Sequence, residues 1–346
     1  MVYSRGTARW KKMETRKLQK TGGSTYALSL PKQWVLSSNL KEGDPVSIMI
    51  DDHGFLILDP SLGARRPVQR VEIQVDEHED PVHLLRRLIG LYVSGHDEIV
   101  VHSKGRIAPE TRKTIRDFAR KVIGSEIVEE SANTVSVQDV ADHANLEMRK
   151  IIRRMHLMCR SMLADAMDAL IRGDADLASD VVARDDEVDR LYWFTAKQSG
   201  MILRDASVAR KMGVGVPESA FYLAASKALE RIADHAARIA HSVPTLKGER
   251  IPEKLIKEVQ TYGSKVASVL DSSVESLLRG DIELANRVAD EQEKLREGGG
   301  KLIDQMMEHR GKVIVPLTLI VESLERTGMY SADIAETAIN LGVASH

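Results

Sequence analysis

Asp185 and Asp189 stand four residues apart on one predicted helix, and Glu230 and Asp234 stand four apart on another. At that spacing each pair projects from one helix face. Like charges so placed repel, which is mildly destabilising unless a cation lies between them. Antiparallel packing of the two helices would bring both pairs to one spot. Four hard oxygen donors there suit iron, manganese, magnesium or calcium. Spacing alone favours a solvated acidic face with Lys227 and Arg231 as its partners, since charge runs on helices are usually solvated. Other candidates are weaker. Met155, Met158, Cys159 and Met162 recur at helical spacing and read as a soft core stripe rather than a copper site. His78, His83, His96 and His102 lack ligand spacing, and His235 and His241 are isolated helix histidines. No nucleophile–base pairing, phosphate-cradling glycine loop or cofactor motif points to an enzyme.

The second chemistry is electrostatic. Residues 1–34 carry eight basic side chains and one acid, Glu14, a local charge of +7 in a chain whose net charge is −2. A basic end on an otherwise acidic protein calls for a polyanion. Arg16, Lys17, Lys20 and Lys32 are placed to neutralise phosphates and release counterions. Ser24 and Thr25 hydroxyls suit phosphate oxygens, and Arg16 and Lys17 could reach base edges. Gly22 and Gly23 would allow the backbone to bend close to DNA.

The elements that must position these groups fall into three texts. From Leu18 to Leu58 the pattern is short, strand-rich and turn-punctuated: Ser24–Leu30 alternates, Pro31 ends it, and Val46–Ile50 and Phe55–Leu58 are joined by a turn at 51–54. From about Val71 to Val140, strands (71–75, 98–102, 126–129, 134–137) alternate with helices (81–93, 109–122), which predicts a small α/β sandwich. From Asp142 onward all is helical and duplicated. Leu170-Ile-Arg-Gly-Asp-Ala-Asp-Leu-Ala178 matches Leu277-Leu-Arg-Gly-Asp-Ile-Glu-Leu-Ala285 at an offset of 107 residues. Each copy ends one helix on glycine and starts the next on an aspartate cap, and each opens its third helix with proline, Pro217 or Pro316. Two three-helix units separated by a Pro244–Pro252 linker follow. The domains so read are a basic arm (1–12), a hairpin domain (13–60), an α/β domain of unknown role (70–140), and helical repeats at 142–243 and 252–343. The fold class is multidomain α+β.

Gly22-Gly-Ser-Thr-Tyr-Ala-Leu-Ser-Leu-Pro-Lys32, followed by Leu40-Lys-Glu-Gly-Asp-Pro-Val46, resembles the AbrB/SpoVT/MazE swapped-hairpin family. The resemblance implies that two chains interleave their hairpins into one barrel, hence an obligate homodimer that binds DNA; a hairpin this short cannot support its own core. Asp185-Asp-Glu-Val-Asp189 and Glu230-Arg-Ile-Ala-Asp-His-Ala236 resemble the motifs of the PhoU family, over about residues 145–343. That resemblance implies a duplicated three-helix bundle with metal bound at these carboxylates, and negative regulation linked to a phosphate ABC transporter. The second repeat departs from the pattern. Asp185 becomes Gln292, Asp189 becomes Arg296, and Ser323-Leu-Glu-Arg-Thr-Gly-Met329 keeps Glu325 but places Met329 where Asp234 stands. A metal site is therefore expected in the first repeat and a lost or altered one in the second, with Asp333 and Glu336 as weak substitutes. Gly298-Gly-Gly300 is expected to interrupt the second helix of that repeat, at roughly 1 kcal/mol per glycine relative to alanine.

The expectation is a regulator of phosphate uptake. It would bind DNA through Arg16, Lys17, Lys20, Ser24, Thr25 and Lys32, and hold iron, manganese, zinc, magnesium or calcium at Asp185, Asp189, Glu230 and Asp234. The alternative is a metal-binding scaffold that contacts the transporter ATPase, its hairpin serving only to dimerise. A third reading, an antitoxin, follows because this hairpin also occurs there. One cysteine in 346 residues, no signal-peptide pattern and no apolar run near the roughly 18 residues of a membrane span place the protein in the cytoplasm.

Overall fold

The computed structural model describes residues 14–50, 54–60, 68–76, 78–308 and 311–344. The basic arm at 1–12 and most of the turn at 51–54 lie outside them. The chain divides into two compact units, Met1–Pro67 and Val68–His346.

In the first unit β1 (Gln19–Thr21) pairs antiparallel with β2 (Thr25–Ala27), and Lys20 faces Tyr26 across the ladder. Gly22 closes the turn at φ 76°, a left-handed conformation that favours glycine. The expected strand at 24–30 is cut to three residues, and Pro31 caps a short unexpected helix, α1 (Lys32–Ser37). Proline fixes the φ of a helix entrance, which suits Pro31 to begin α1. The Leu40–Val46 turn forms as expected: Asp44 accepts from the Lys41 N–H at 2.7 Å and Gly43 takes φ 90°. β3 (Ser47–Ile50) then pairs with β4 (Leu56–Asp59). The two hairpins stay separate two-stranded sheets, so among the described residues one chain forms no closed barrel. No described side chain between 14 and 60 is buried. Tyr26, Leu36, Ile48, Ile50 and Phe55 are all more than 60 % exposed.

The second unit opens with the α/β segment. β5 (Arg70–Val75) runs parallel to β6 (Glu98–Ser103). β8 (Thr134–Asp139) pairs antiparallel with β6, and β7 (Ser125–Glu130) forms the far edge, in the order β5-β6-β8-β7. Asp80 caps α2 (Pro81–Val93) by accepting from the His83 N–H at 2.9 Å. Leu84, Leu88 and Tyr92 of α2, with Ile115 and Phe118 of α3 (Pro109–Lys121), share a core with Ile99, Val101, Val135 and Val137.

Seven helices follow. The first repeat is α4 (Met148–Arg172), α5 (Ala175–Arg204), the short α6 (Ala206–Met212) and α7 (Val216–Ser242). The second is α8 (Glu253–Arg279), α9 (Ile282–Met307) and α10 (Ile314–Ala344). The duplicated punctuation works identically in both. Gly173 and Gly280 end their helices at φ 65° and 66°, and Asp174 and Asp281 cap the next by accepting backbone N–H groups at 2.9–3.1 Å. α7 and α10 pack on each other and join the repeats, with His235 and Tyr330, which hold equivalent positions, 5.8 Å apart at that seam. Met155, Cys159 and Met162 lie fully buried in the shared core, as a core stripe should.

One expectation is revised. α9 runs unbroken through Gly298–Gly300. At Gly299 the reason is packing: a Cβ there would lie 2.7 Å from the Tyr262 hydroxyl of α8. The α/β segment keeps its own core but shares one compact unit with the helices, to which it is joined through α5. Lys197, fully buried, pairs with the buried Asp139 of β8, donates to the His96 carbonyl at 3.0 Å and lies 4.3 Å from the centre of the Tyr92 ring. His143 donates to the same Asp139 carboxylate at 2.5 Å and stacks on Phe194 of α5. A buried charge needs such partners.

Candidate functional site

α5 and α7 are adjacent in the bundle, and they bring the four predicted carboxylates into one electrostatic site. Asp185 is half-buried. Burial, then Asp234, Asp189 and Glu230 in turn, push its carboxyl up to about 7. Burial, Glu230 and Asp234 likewise push Asp189 up to about 6, opposed by the Lys121 ammonium of α3. Each group thus feels the other pair across the helix interface, as the spacing implied. One oxygen on each of two helices, Asp185 Oδ1 and Glu230 Oε2, is buried without a hydrogen-bond partner. The arrangement leaves hard donors unsatisfied and repelling, which is the condition a cation relieves. The side chains are not drawn into a coordination shell: among the described residues no three His, Cys, Asp or Glu groups converge closely enough to hold a metal ion.

Local cations are few and placed at the rim. Lys227 donates to Glu230 Oε1 at 2.6 Å and rides 4.7 Å from the Tyr192 ring centre. Lys121 pairs with the exposed Asp186 at 2.7 Å. Arg231, expected beside the acids, turns instead to Tyr330 of α10, whose hydroxyl lies 3.4 Å away. His235 is buried, and burial with Arg238 and Arg326 lowers it to about 4, so it is a neutral core residue. His241 is exposed.

The second repeat disposes of the same positions differently. Arg296, at the place of Asp189, holds Glu293 through two contacts at 2.7 and 3.3 Å, and Glu325 adds to the field that favours its charge. Met329 Sδ lies 3.9 Å from Arg326. Burial raises the Asp333 carboxyl, and the Arg231 charge of the first repeat opposes that shift. Bulk is exchanged as well. Tyr192 and Met155 of the first repeat correspond to Gly299 and Tyr262 of the second. Tyr262 fills the space that Gly299 leaves and donates its hydroxyl to the Leu295 carbonyl at 3.2 Å.

At the other end of the chain, Arg16, Lys17, Lys20, Ser24, Thr25 and Lys32 are all exposed. Lys20, Ser24 and Thr25 share the β1–β2 hairpin, Arg16 pairs with Glu14 just before it, and Lys32 begins α1. Sequence reasoning missed the Lys197–Asp139–His143 lock. Its one visible signal is a lysine inside the apolar stretch of α5.

The fold and the site define a class: a duplicated three-helix bundle with an acidic face on one repeat, preceded by paired β-hairpins. The PhoU domain family matches residues 152–243 and 259–338, and the chain belongs to that family through its helical region. The family described as antidote-toxin recognition MazE, bacterial antitoxin, matches residues 19–67. The chain is 29 % identical over 220 residues to a phosphate-specific transport system accessory protein PhoU homolog of Pseudomonas aeruginosa, covering 58 % of this chain and 86 % of that protein. It is 26 % identical over 202 residues to the homolog of Clostridium acetobutylicum, covering 56 % and 90 %. Among solved structures, PhoU from Pseudomonas aeruginosa superposes with a TM-score of 0.51 at 23 % identity, over 57 % of this chain and 96 % of that one. The regulatory protein PhoU from Streptococcus pneumoniae gives 0.50 at 19 %, over 57 % and 94 %. These structures share the helical fold. Among the described residues no helix is long and apolar enough to cross a membrane.

Proposed function

We propose that this protein is a cytoplasmic, non-enzymatic regulator of phosphate transport that binds DNA through a homodimer of its N-terminal hairpins. One observation carries the reading: a MazE-type segment precedes the PhoU domains in the same chain. The accessory-protein relatives support the phosphate link. The dimer is supported by the described residues between 14 and 60, none of which is buried, since a hairpin domain this short needs a second to cover its apolar side chains. DNA binding is supported by the exposed Arg16, Lys17, Lys20 and Lys32, with Ser24 and Thr25 beside them. In the first repeat, Asp185, Asp189, Glu230 and Asp234 would hold a divalent or trivalent cation, which would neutralise their repulsion and fix α5 against α7. The test is DNA binding by the full chain at several salt concentrations. Replacing Arg16, Lys17 and Lys20 with alanine should weaken binding and reduce the salt slope by about one per lost phosphate contact. Equal affinity for any duplex, unchanged by those substitutions, would sink the DNA claim. The names of the relatives favour a second reading, a scaffold that contacts the transporter ATPase with a purely dimerising hairpin. In that case the chain co-purifies with the ATPase and has no specific DNA.

A further inference from the structure

The seam between α8 and α9 holds an open groove of about 440 Å³. Its floor is apolar, made of the Tyr262 ring and Leu302 beside the bare backbone of Gly298. Its rim is cationic: Lys254, Lys257 and Lys265 from α8 and Lys301 from α9. Lys257 is engaged by Glu253 at 2.7 Å and Lys254 by Glu258 at 3.8 Å. Lys265 and Lys301 form no ion pair among the described residues. At 1.5 Å per helical residue, Lys254 to Lys265 makes a rail roughly 16 Å long.

Packing accounts for only one of the three successive glycines of α9, of which Gly298 lines this groove. Gly299 admits the Tyr262 hydroxyl, but a Cβ at Gly298 meets nothing nearer than the Tyr262 ring at 4.0 Å, and one at Gly300 meets nothing within 4 Å. Glycine in a helix interior costs about 1 kcal/mol relative to alanine, and at Gly298 its effect is to leave a notch beside the edge of the Tyr262 ring, which is itself only 6 % exposed. The first repeat has no counterpart, because Tyr192 fills the position of Gly299 and Met155 that of Tyr262.

We propose that this groove of the second repeat docks an acidic segment of a partner protein that carries one apolar or aromatic anchor. Charge complementarity selects the acidic class: two unpaired ammonium groups flank the floor and two more extend the rail. The apolar notch selects a peptide with an anchor over an inorganic phosphate, which has nothing apolar to place there. The anchor would sit in the notch that Gly298 leaves at the edge of the Tyr262 ring, and its neighbouring carboxylates would meet Lys265 and Lys301. This surface is distinct from the acidic site of the first repeat and from the N-terminal hairpins, so its test is independent of both.

The experiment is fluorescence anisotropy of the full chain with a labelled Glu-rich nonapeptide containing a central Trp, alongside the same peptide with Ser for Trp. The Trp peptide should bind with an affinity that falls as salt rises, and the Ser peptide should bind at least tenfold more weakly. Lys265→Glu with Lys301→Glu should weaken the Trp peptide tenfold or more. Gly298→Leu should also weaken it while leaving the helical circular-dichroism signal and unfolding temperature intact, because the position faces open space. Gly298→Ala, which keeps most of the notch, serves as the folded control. Equal affinity for the Trp and Ser peptides would overturn the proposal. So would binding unaffected by either substitution, or full competition by inorganic polyphosphate with no preference for the anchor.

Discussion

The two helical repeats share punctuation, helix order and fold, yet they answer the same electrostatic problem in opposite ways. The first gathers Asp185, Asp189, Glu230 and Asp234 with two buried, unpartnered oxygens and supplies only rim lysines. The second places a guanidinium, Arg296, where a carboxylate stood and satisfies it with Glu293 and Glu325. One repeat leaves its acids to rim lysines, and the other sets a guanidinium among them. Bulk is exchanged along with charge, since Gly299 stands at the place of Tyr192 and Tyr262 fills the space it leaves. Duplication thus provided one scaffold, and a handful of substitutions gave its halves different surfaces.

The largest expected difference between the halves comes from the lock on α5. Lys197→Met leaves the buried Asp139 carboxylate without its ammonium partner and should cost about 3–5 kcal/mol, measured by urea denaturation. The equivalent residue of the second repeat, Asp304, is exposed, and Asp304→Ala should stay within about 0.5 kcal/mol. Equal effects would mean that the α/β segment is not held by the first repeat in particular. Next in size is the glycine run. Gly299→Ala drives a methyl against the Tyr262 hydroxyl and should destabilise by about 1–3 kcal/mol, whereas Gly300→Ala should stabilise by about 1 kcal/mol. Thermal unfolding of the two variants separates them, and the same sign for both would remove the packing explanation.

A smaller, pH-dependent effect should be confined to the first repeat. The Asp185 and Asp189 carboxyls are raised to about 7 and about 6 in the folded chain, against about 4 when unfolded. The folded state therefore binds more protons, and in metal-free protein this pair's contribution to stability is lost as pH rises from about 4 to about 7. Other carboxylates slope the opposite way. Asp139 is one: burial would raise it, but the His143 hydrogen bond and the Lys197 charge hold it below its usual range. The comparison is therefore between wild type and the double variant Asp185→Asn, Asp189→Asn, whose stability should fall less over that interval. Gln292→Ala in the second repeat should leave the profile unchanged.

Much of this was legible in the residues. The glycine–aspartate punctuation, the 107-residue offset and the strand–helix alternation at 70–140 all express local rules, and the elements fall within one or two residues of their expected ends. The grouping of the four carboxylates followed from helical periodicity plus one assumption about packing. The buried Lys197–Asp139–His143 lock did not follow, because its partners lie 58 and 54 residues from Lys197 and no spacing rule joins them. The unbroken α9 was missed for a related reason: propensity condemns three glycines in a helix, and only Tyr262, from a neighbouring helix, makes one of them necessary. The closed barrel implied by the family resemblance does not form among the described residues of one chain, where the two hairpins remain separate sheets.

The asymmetry between the repeats is tested most directly by the metal content of the purified full chain after loading with iron, manganese or zinc and removal of unbound ion. The account predicts metal in the wild type and in Arg296→Ala, and its loss when Asp185, Asp189, Glu230 and Asp234 are replaced by their amides. Metal retained by the amide variant, or a wild type that holds none, would contradict it.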